Sequence, residues 1–355
     1  MLFWTVFLVC ILIAALFVLE DNYLAGRRVE RLENIPASEG SDLPSVSVII
    51  PACNEEQEIA AALTSVLSLD YPNLEFIVLN DRSTDSTPEI LDRLATEYPR
   101  MRVIHIKELP PGWLGKNHAL HLGAAEAQGE YLLFTDADVH LGPDTLRRAM
   151  ARMQSRDLDF LCLLFRMIAP SHLLSLLIAD SLSTWFTLLK LWLIPEQDSP
   201  YFMGMGAFNL IRRSSYESFG GHRLIRLCPL DDVLLGRIAK VSGGRCECLN
   251  GGRFVSLDWY QSVAGMVRGL RKNTFALIDY RVSLLLAGTA TVISLQILPL
   301  WGLLLLEGIP RLLCAVILVV NVLALALAAR TLQMDLRCLY WFPVTPYIKL
   351  YTVWR

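Results

Sequence analysis

The chain has 355 residues, 54% of them hydrophobic and 19% charged, with a formal net charge of −3. A composition this apolar excludes an ordinary soluble protein, and the slight negative charge excludes a global electrostatic footprint for nucleic acid. The eight cysteines form no C-x-x-C pair, Cys246-Glu247-Cys248 being the nearest approach, so a disulfide framework or structural zinc is not expected and a reducing compartment fits.

Leu2 to Leu19 is an uncharged run of 18 residues, and a helix needs about 20 to cross a bilayer core. It lacks the basic start and small-x-small site of a cleaved signal, so residues 1–20 read as a transmembrane anchor. Arg27, Arg28 and Arg31 follow, which places its C-terminal end in the cytoplasm. Residues 21–44 are a charged linker ending at Pro44.

A strand is predicted over Val46–Ile50, stopped by Pro51, with Asn54, Glu55 and Glu56 as the cap of a helix over Ile59–Leu69. After a turn at Tyr71–Asn73, a second strand over Leu74–Leu79 ends in Asn80 and Asp81. A helix over Ile90–Glu97 and a strand over Arg102–Ile106 follow. The loop Pro110–Asn117, carrying Lys116, leads into a helix over roughly Ala119–Ala127. The fourth strand is Tyr131-Leu132-Leu133-Phe134, running into Asp136 and Asp138. This alternation predicts a doubly wound, mainly parallel sheet whose acidic strand ends face one crevice.

Side chains alternate along a strand, so Asp136 and Asp138 should project to one side. Two such carboxylates repel unless a cation lies between them or one is protonated. A divalent ion carrying a diphosphate would resolve the conflict; an Asp-rich turn is the plainer alternative. Asp231 and Asp232 read equally as the N-cap of a helix over Val233–Lys240 or as a reacting pair. His118 and His121 lie one helical turn apart without a third ligand nearby and read as structural.

Leu173–Ile194 is apolar but carries Asp180, Thr184, Thr187 and Lys190 at helical spacing. That stripe suits a helix lying in the membrane interface, or a buried amphipathic one. Val282–Leu306 and Leu312–Ala329 are uncharged runs of 25 and 18 residues, joined through Glu307–Arg311 as a transmembrane hairpin over 281–330. Arg268, Arg271, Lys272 and Arg281 before it, and Arg330 and Arg337 after it, keep both ends cytoplasmic. The tail, 331–355, is broken by Pro343 and Pro346 and reads as interfacial or re-entrant.

Several motifs occur together in order: Pro51-Ala52-Cys53-Asn54-Glu55-Glu56, Asn80-Asp81 with Asp85, Trp113-Leu114-Gly115-Lys116-Asn117, Asp136-Ala137-Asp138, Gly206 to Arg213, Gly220-Gly221-His222, and Asp231-Asp232. Over residues 45–280 the chain resembles membrane-bound glycosyltransferases of family 2, close to those that glycosylate ceramide, carotenoid and hopanoid-associated lipids. The resemblance implies a GT-A fold: an α/β, Rossmann-like, mixed but mainly parallel sheet flanked by helices, here with transmembrane helices at both ends. It implies a nucleotide-sugar donor, UDP-linked, held by Pro51, Cys53, Glu55 on the ribose, Asp81 on the uracil, Lys116 and Asp136. It implies Mg²⁺ or Mn²⁺ on Asp138 with Asp136, and Asp232, beside Asp231, as general base for an inverting transfer to a lipid hydroxyl. Arg268 and Arg271 would grip the diphosphate, or serve only as a juxtamembrane positive cluster. The Trp that usually closes that last motif is replaced by Lys272. The expected partners are the donor, a lipid acceptor and the bilayer, with no nucleic acid. The expected location is the inner (cell) membrane, multi-pass, with a cytoplasmic catalytic domain. A polyprenyl-phosphate sugar transferase and a catalytically silent nucleotide-binding scaffold remain as alternatives.

Overall fold

The structure, a computed structural model, describes residues 2–258, 260–277 and 280–354, with the backbone alone for 271–277. In chain order, helix α1 (Leu2–Arg28) precedes an alternating run: β1 (Val46–Ala52), α2 (Ile59–Leu67), β2 (Leu74–Asp81), α3 (Thr87–Glu97), β3 (Met101–Ile106), α4 (Gly115–Glu126) and β4 (Tyr131–Phe134). Next come β5 (His140–Leu141), α5 (Thr145–Ser155), β6 (Phe160–Leu164), β7 (Arg166–Met167) and the long α6 (His172–Leu189). β8 (Asn209–Arg212), α7 (Arg213–Ser218), α8 (Asp231–Val241), β9 (Cys246–Asn250) and β10 (Val255–Leu257) follow. The chain ends with helices α9 (Val263–Leu277), α10 (Val282–Val292), α11 (Leu298–Leu305), α12 (Gly308–Thr331) and α13 (Thr345–Trp354).

These elements form two compact units. One, Val29–Met167 with Leu191–Asp258, holds a seven-stranded sheet in the order β3-β2-β1-β4-β8-β6-β9. The first four strands are mutually parallel; β8 runs antiparallel to both β4 and β6, and β9 is parallel to β6. The fold is therefore the mixed, mostly parallel sheet flanked by helices expected from the motifs. Ile49, Ile50, Ile77, Leu79, Leu132 and Leu133 are fully buried, because a sheet covered on both faces needs unbroken apolar strands. A small second sheet, β5-β10-β7, sits beyond the end of β4.

Strand and helix limits differ from the sequence reading in ways that bear on the site. β1 runs through Pro51 to Ala52, because pairing with β4 ends at Ile49–Phe134 and no ladder donor is needed on that side of Pro51. α4 begins at Gly115, so Lys116 stands in the first turn of a helix rather than in a loop. β4 ends at Phe134, so strand alternation does not place Asp136 and Asp138; a backbone turn does.

The other unit comprises Met1–Arg28, Ile168–Lys190 and Trp259–Arg355. Among the described residues, four segments lying wholly or mostly in it are long and apolar enough to cross a membrane: Leu2–Arg28, His172–Leu193, Val282–Leu305 and Gly308–Thr331. Leu8, Ile11 and Ala15 of α1 pack on Cys314, Ile317 and Val320 of α12. The polar stripe of α6 meets partners on other helices. Asp180 pairs with Lys349 of α13 at 2.7 Å, and Lys190 with Asp21 of α1 at 2.7 Å. A π-helical turn at Ile293–Ile297 interrupts the α10–α11 segment, and Asn321 donates to the Leu295 carbonyl there at 2.5 Å. In the tail, α13 has 10 residues; at about 1.5 Å per residue it is half a bilayer core long.

Candidate active site

The loops after β1 and β2 are knitted together by reciprocal hydrogen bonds. Asn54 N–H donates to Ser83 Oγ at 3.0 Å, and Thr84 N–H donates back to Asn54 Oδ1 at 2.8 Å. Glu56 N–H donates to Asp85 Oδ2 at 3.2 Å, Ser86 N–H to Glu56 Oε2 at 3.1 Å, and Glu55 N–H to Thr87 Oγ1 at 2.9 Å. The side chains of Asn54 and Glu56 are thereby spent on the second loop. They do not cap α2, whose N-cap position, Glu58, makes no side-chain cap bond. Asn54 and Arg82 each adopt a left-handed backbone, φ 58° and 55°, which turns both loops back on one another.

Asp81, 4% exposed at the end of β2, accepts two bonds from Arg82, Nε at 2.7 Å and Nη2 at 3.0 Å. A Cβ on Gly115 would overlap Asp81 Oδ2, so the first helical residue of α4 is a glycine where that carboxylate lies. Cys53 belongs to the same neighbourhood: burial, then the Asp81 charge, pushes its thiol up.

β4 and β8 are antiparallel with Phe134 opposite Asn209, and their pairing continues past the strand ends. Thr135 Oγ1 donates to the Ala207 carbonyl at 2.8 Å and Asp136 N–H to the Gly206 carbonyl at 3.0 Å. Gly206 N–H in turn donates to Asp232 Oδ2 at 2.8 Å, while Asp232 Oδ1 takes its neighbour Val233 N–H at 2.8 Å. A Cβ on Gly206 would overlap Asp136 Oδ2 and stand 3.4 Å from Asp232 Oδ2, so only glycine lets the two carboxylates approach. Asp231 and Asp232 are the first two residues of α8; neither is its N-cap, which is Leu230. Asp231 is 5% exposed, whereas Asp232 keeps more access to solvent.

Lys116 joins the two acidic groups. Its ammonium lies 2.8 Å from Asp136 Oδ1 and 3.5 Å from Asp231 Oδ2. Burial opposes its charge, but Asp136, Asp231 and Asp232 outweigh burial and hold Lys116 protonated well above its ordinary range. One cation among this many carboxylates leaves negative charge uncompensated. Burial, then Asp138 and Asp136, pushes Glu55 up to about 7. Burial, then Asp136, pushes Asp138 up to about 6. Burial raises Asp231 to about 7 against the pull of Lys116, and burial also pushes the Asp232 carboxyl upward. The gap among Lys116, Asp136, Gly206, Asp231 and Asp232 has a volume of about 10 Å³, which is room for about one water.

Among the described residues, no three His, Cys, Asp or Glu side chains gather closely enough to hold a metal ion alone. A hard divalent cation held by one or two carboxylates would take its remaining ligands from phosphate oxygens and water. Asp138, whose carboxyl is raised, and Asp136, two residues before it, would be the pair to hold such an ion.

The expected residues Pro51, Cys53, Glu55, Asp81, Lys116, Asp136, Asp138, Asp231 and Asp232 all belong to the sheet unit, at the ends of its strands or in the first turns of α4 and α8. Arg268 is an exposed residue of α9, in the other unit, and the Arg271 side chain lies outside the described residues. Three contributors stand in or beside the sequence motifs without a role assigned to them there. Arg82 and Gly115 form the surroundings of Asp81. His222, fully buried and hydrogen-bonded to the Tyr216 hydroxyl at 2.7 Å, lies against the same gap as Asp231 and Asp232. Burial pushes it down to about 3, so it is neutral. His118 and His121 pack against Trp113, with His121 stacked on the indole at 4.9 Å.

A mostly parallel sheet flanked by helices, with an acidic rim at the carboxyl ends of its strands, is an α/β domain of the GT-A type. Residues 47–220 match the family model "Glycosyl transferase family 2", and this part of the chain belongs to that family. The chain is 28% identical over 268 residues to the 4,4'-diaponeurosporenoate glycosyltransferase of Staphylococcus haemolyticus, a match covering 71% of this chain and 67% of that one. It is 37% identical over 114 residues to the beta-monoglucosyldiacylglycerol synthase of Nostoc sp., covering 32% of this chain and spanning 24% of the relative's length. The mannosyltransferase PcManGT from Pyrobaculum calidifontis, solved with GDP-Man and Mn²⁺, superposes with a TM-score of 0.54 over 92% of this chain and 85% of that one, at 19% identity. That likeness concerns the fold.

Proposed function

We propose that the chain transfers a sugar from a UDP-sugar to a hydroxyl of a membrane lipid, with inversion at the anomeric carbon, at the cytoplasmic face of the cell membrane. The observation that carries this reading is the junction at Lys116 and Gly206, which holds a donor-side carboxylate, Asp136, against an acceptor-side pair, Asp231 and Asp232. A reaction joining two substrates needs both groups within a few ångströms of one centre.

In this reading Asp81 accepts from the uracil, Glu55 takes the ribose, and the backbone at Pro51 and Cys53 lines the nucleotide. Asp138 and Asp136 would hold Mg²⁺ or Mn²⁺, which supplies charge stabilisation for the departing diphosphate. Lys116 adds a second positive charge beside it. Asp232, fixed by two backbone N–H groups and half-buried, takes the acceptor hydroxyl proton. Buried Asp231 holds Lys116 in place. The relatives that act on a diacylglycerol lipid and on a carotenoid acid support a lipid acceptor, as do the four membrane-length helices.

Isothermal titration of UDP with and without Mn²⁺ tests the donor half. Asp138→Ala should abolish the Mn²⁺-dependent gain in UDP affinity; an unchanged gain would remove Asp138 from the site.

A further inference from the structure

Among the described residues of the sheet unit, three large hydrophobic side chains are exposed: Leu224 at 64%, Leu227 at 60% and Val241 at 78%. The first two share one short segment, a 3₁₀ turn at Gly221–Ile225 and the residues after it, where Arg223 and Arg226 are also exposed. This segment is anchored to the start of α4. Leu114 N–H donates to the Arg226 carbonyl at 2.8 Å, and Asn117 Nδ2 donates to the Ile225 carbonyl at 2.5 Å. Arg223 Nε reaches His121 Nε2 at 3.4 Å, and His121 stacks on Trp113. Two leucines, two arginines and an indole thus form one surface, four residues before Asp231 and three before Lys116 along the chain.

We propose that this surface, Trp113 with Arg223, Leu224, Arg226 and Leu227, seats the sheet unit on an anionic lipid bilayer at the edge of the carboxylate site. Apolar side chains flanked by basic ones and a Trp are the combination that partitions into the headgroup region. A chain with membrane-length helices keeps a bilayer within reach at all times. Leu224 and Leu227 would enter the acyl boundary, while Arg223 and Arg226 would meet lipid phosphates. A lipid hydroxyl would then come to Asp232 from the same side.

Site-specific photocross-linking of the full chain in nanodiscs tests this without any turnover. Benzoylphenylalanine is placed in turn at Leu224, Leu227 and, as control, Val241, with fluorescent phosphatidylglycerol in the disc. Adducts at the first two positions and none at Val241 are expected; no adduct at either leucine, or an equal yield at Val241, would overturn the proposal. Arg223→Gln with Arg226→Gln should lower the phosphatidylglycerol adduct at Leu227 at least about three-fold while leaving a phosphatidylcholine adduct unchanged. Equal yields with both lipids before and after the change would refute the charge-based part. UDP binding by each variant reports that the sheet unit is folded, so failure here is distinct from failure of the glycosyltransferase reading.

Discussion

Above about pH 6, Asp138 carries a charge that the free protein only partly compensates. Its carboxyl is raised by burial and by Asp136, so between the ordinary carboxylate range and about 6 the folded chain binds a proton that the unfolded chain has released. Stability therefore falls as pH rises through that window, and the penalty is complete above it. Asp138→Asn should raise the melting temperature at pH 7.5, with the gain vanishing near pH 4; thermal unfolding in detergent measures this. The same group, neutralised by a bound cation, would become an asset on donor binding. The sequence marks Asp81, Asp136 and Asp138 as acidic residues at or just past strand ends, and the motif resemblance singles out Asp232. Neither assigns a role to Arg82 or Gly115. An arginine folding back on its chain neighbour depends on a left-handed backbone at position 82, and the glycine matters only through what packs against it.

The loops after β1 and β2 act as one element. Six hydrogen bonds tie residues 54–56 to 83–87, and Asp85 and Glu56 reciprocate as acceptors. Asp85→Ala removes the acceptor of Glu56 N–H and of Thr87 N–H, loosening the wall that carries Cys53 and Glu55. KM for the nucleotide sugar should rise by about ten-fold, since two hydrogen bonds to a charged group are lost, while kcat changes little; steady-state kinetics over donor concentration separates the two. A large fall in kcat at unchanged KM would show that this loop acts on the chemistry instead. Strands β1 to β4 were legible as apolar runs, whereas β6, β8 and β9, the other three strands of the main sheet, were not read from the sequence. Element limits were not legible either, because the extent of β1 past Pro51 is set by where β4 stops pairing and the start of α4 by contact with Arg226. The polar stripe of α6 was legible too. What it faces was not, since Asp180 finds Lys349 from 169 positions further along the chain.

For the molecule as a whole, the proposed topology puts the carboxylate site in the cytoplasm. Cys53, an exposed thiol beside Asp81, reports this directly. A membrane-impermeant maleimide at pH 8.5, where the raised thiol still reacts, should modify Cys53 in inside-out vesicles and spare it in intact cells; labelling in intact cells would reverse the orientation. Cys338 is no such reporter, because it is fully buried against Leu176, Leu325 and Phe342. The most direct test of sugar transfer to a lipid hydroxyl is mass spectrometry of lipids after the full chain, in nanodiscs with a membrane lipid extract, meets a panel of UDP-sugars. The wild-type chain should release UDP and yield a glycolipid, and Asp232→Asn should keep Mn²⁺-dependent UDP binding while losing about 10²–10⁴ in turnover. Wild-type turnover by Asp232→Asn would point to an acceptor that needs no base, such as a lipid phosphate, and no UDP release with any donor would contradict catalysis altogether.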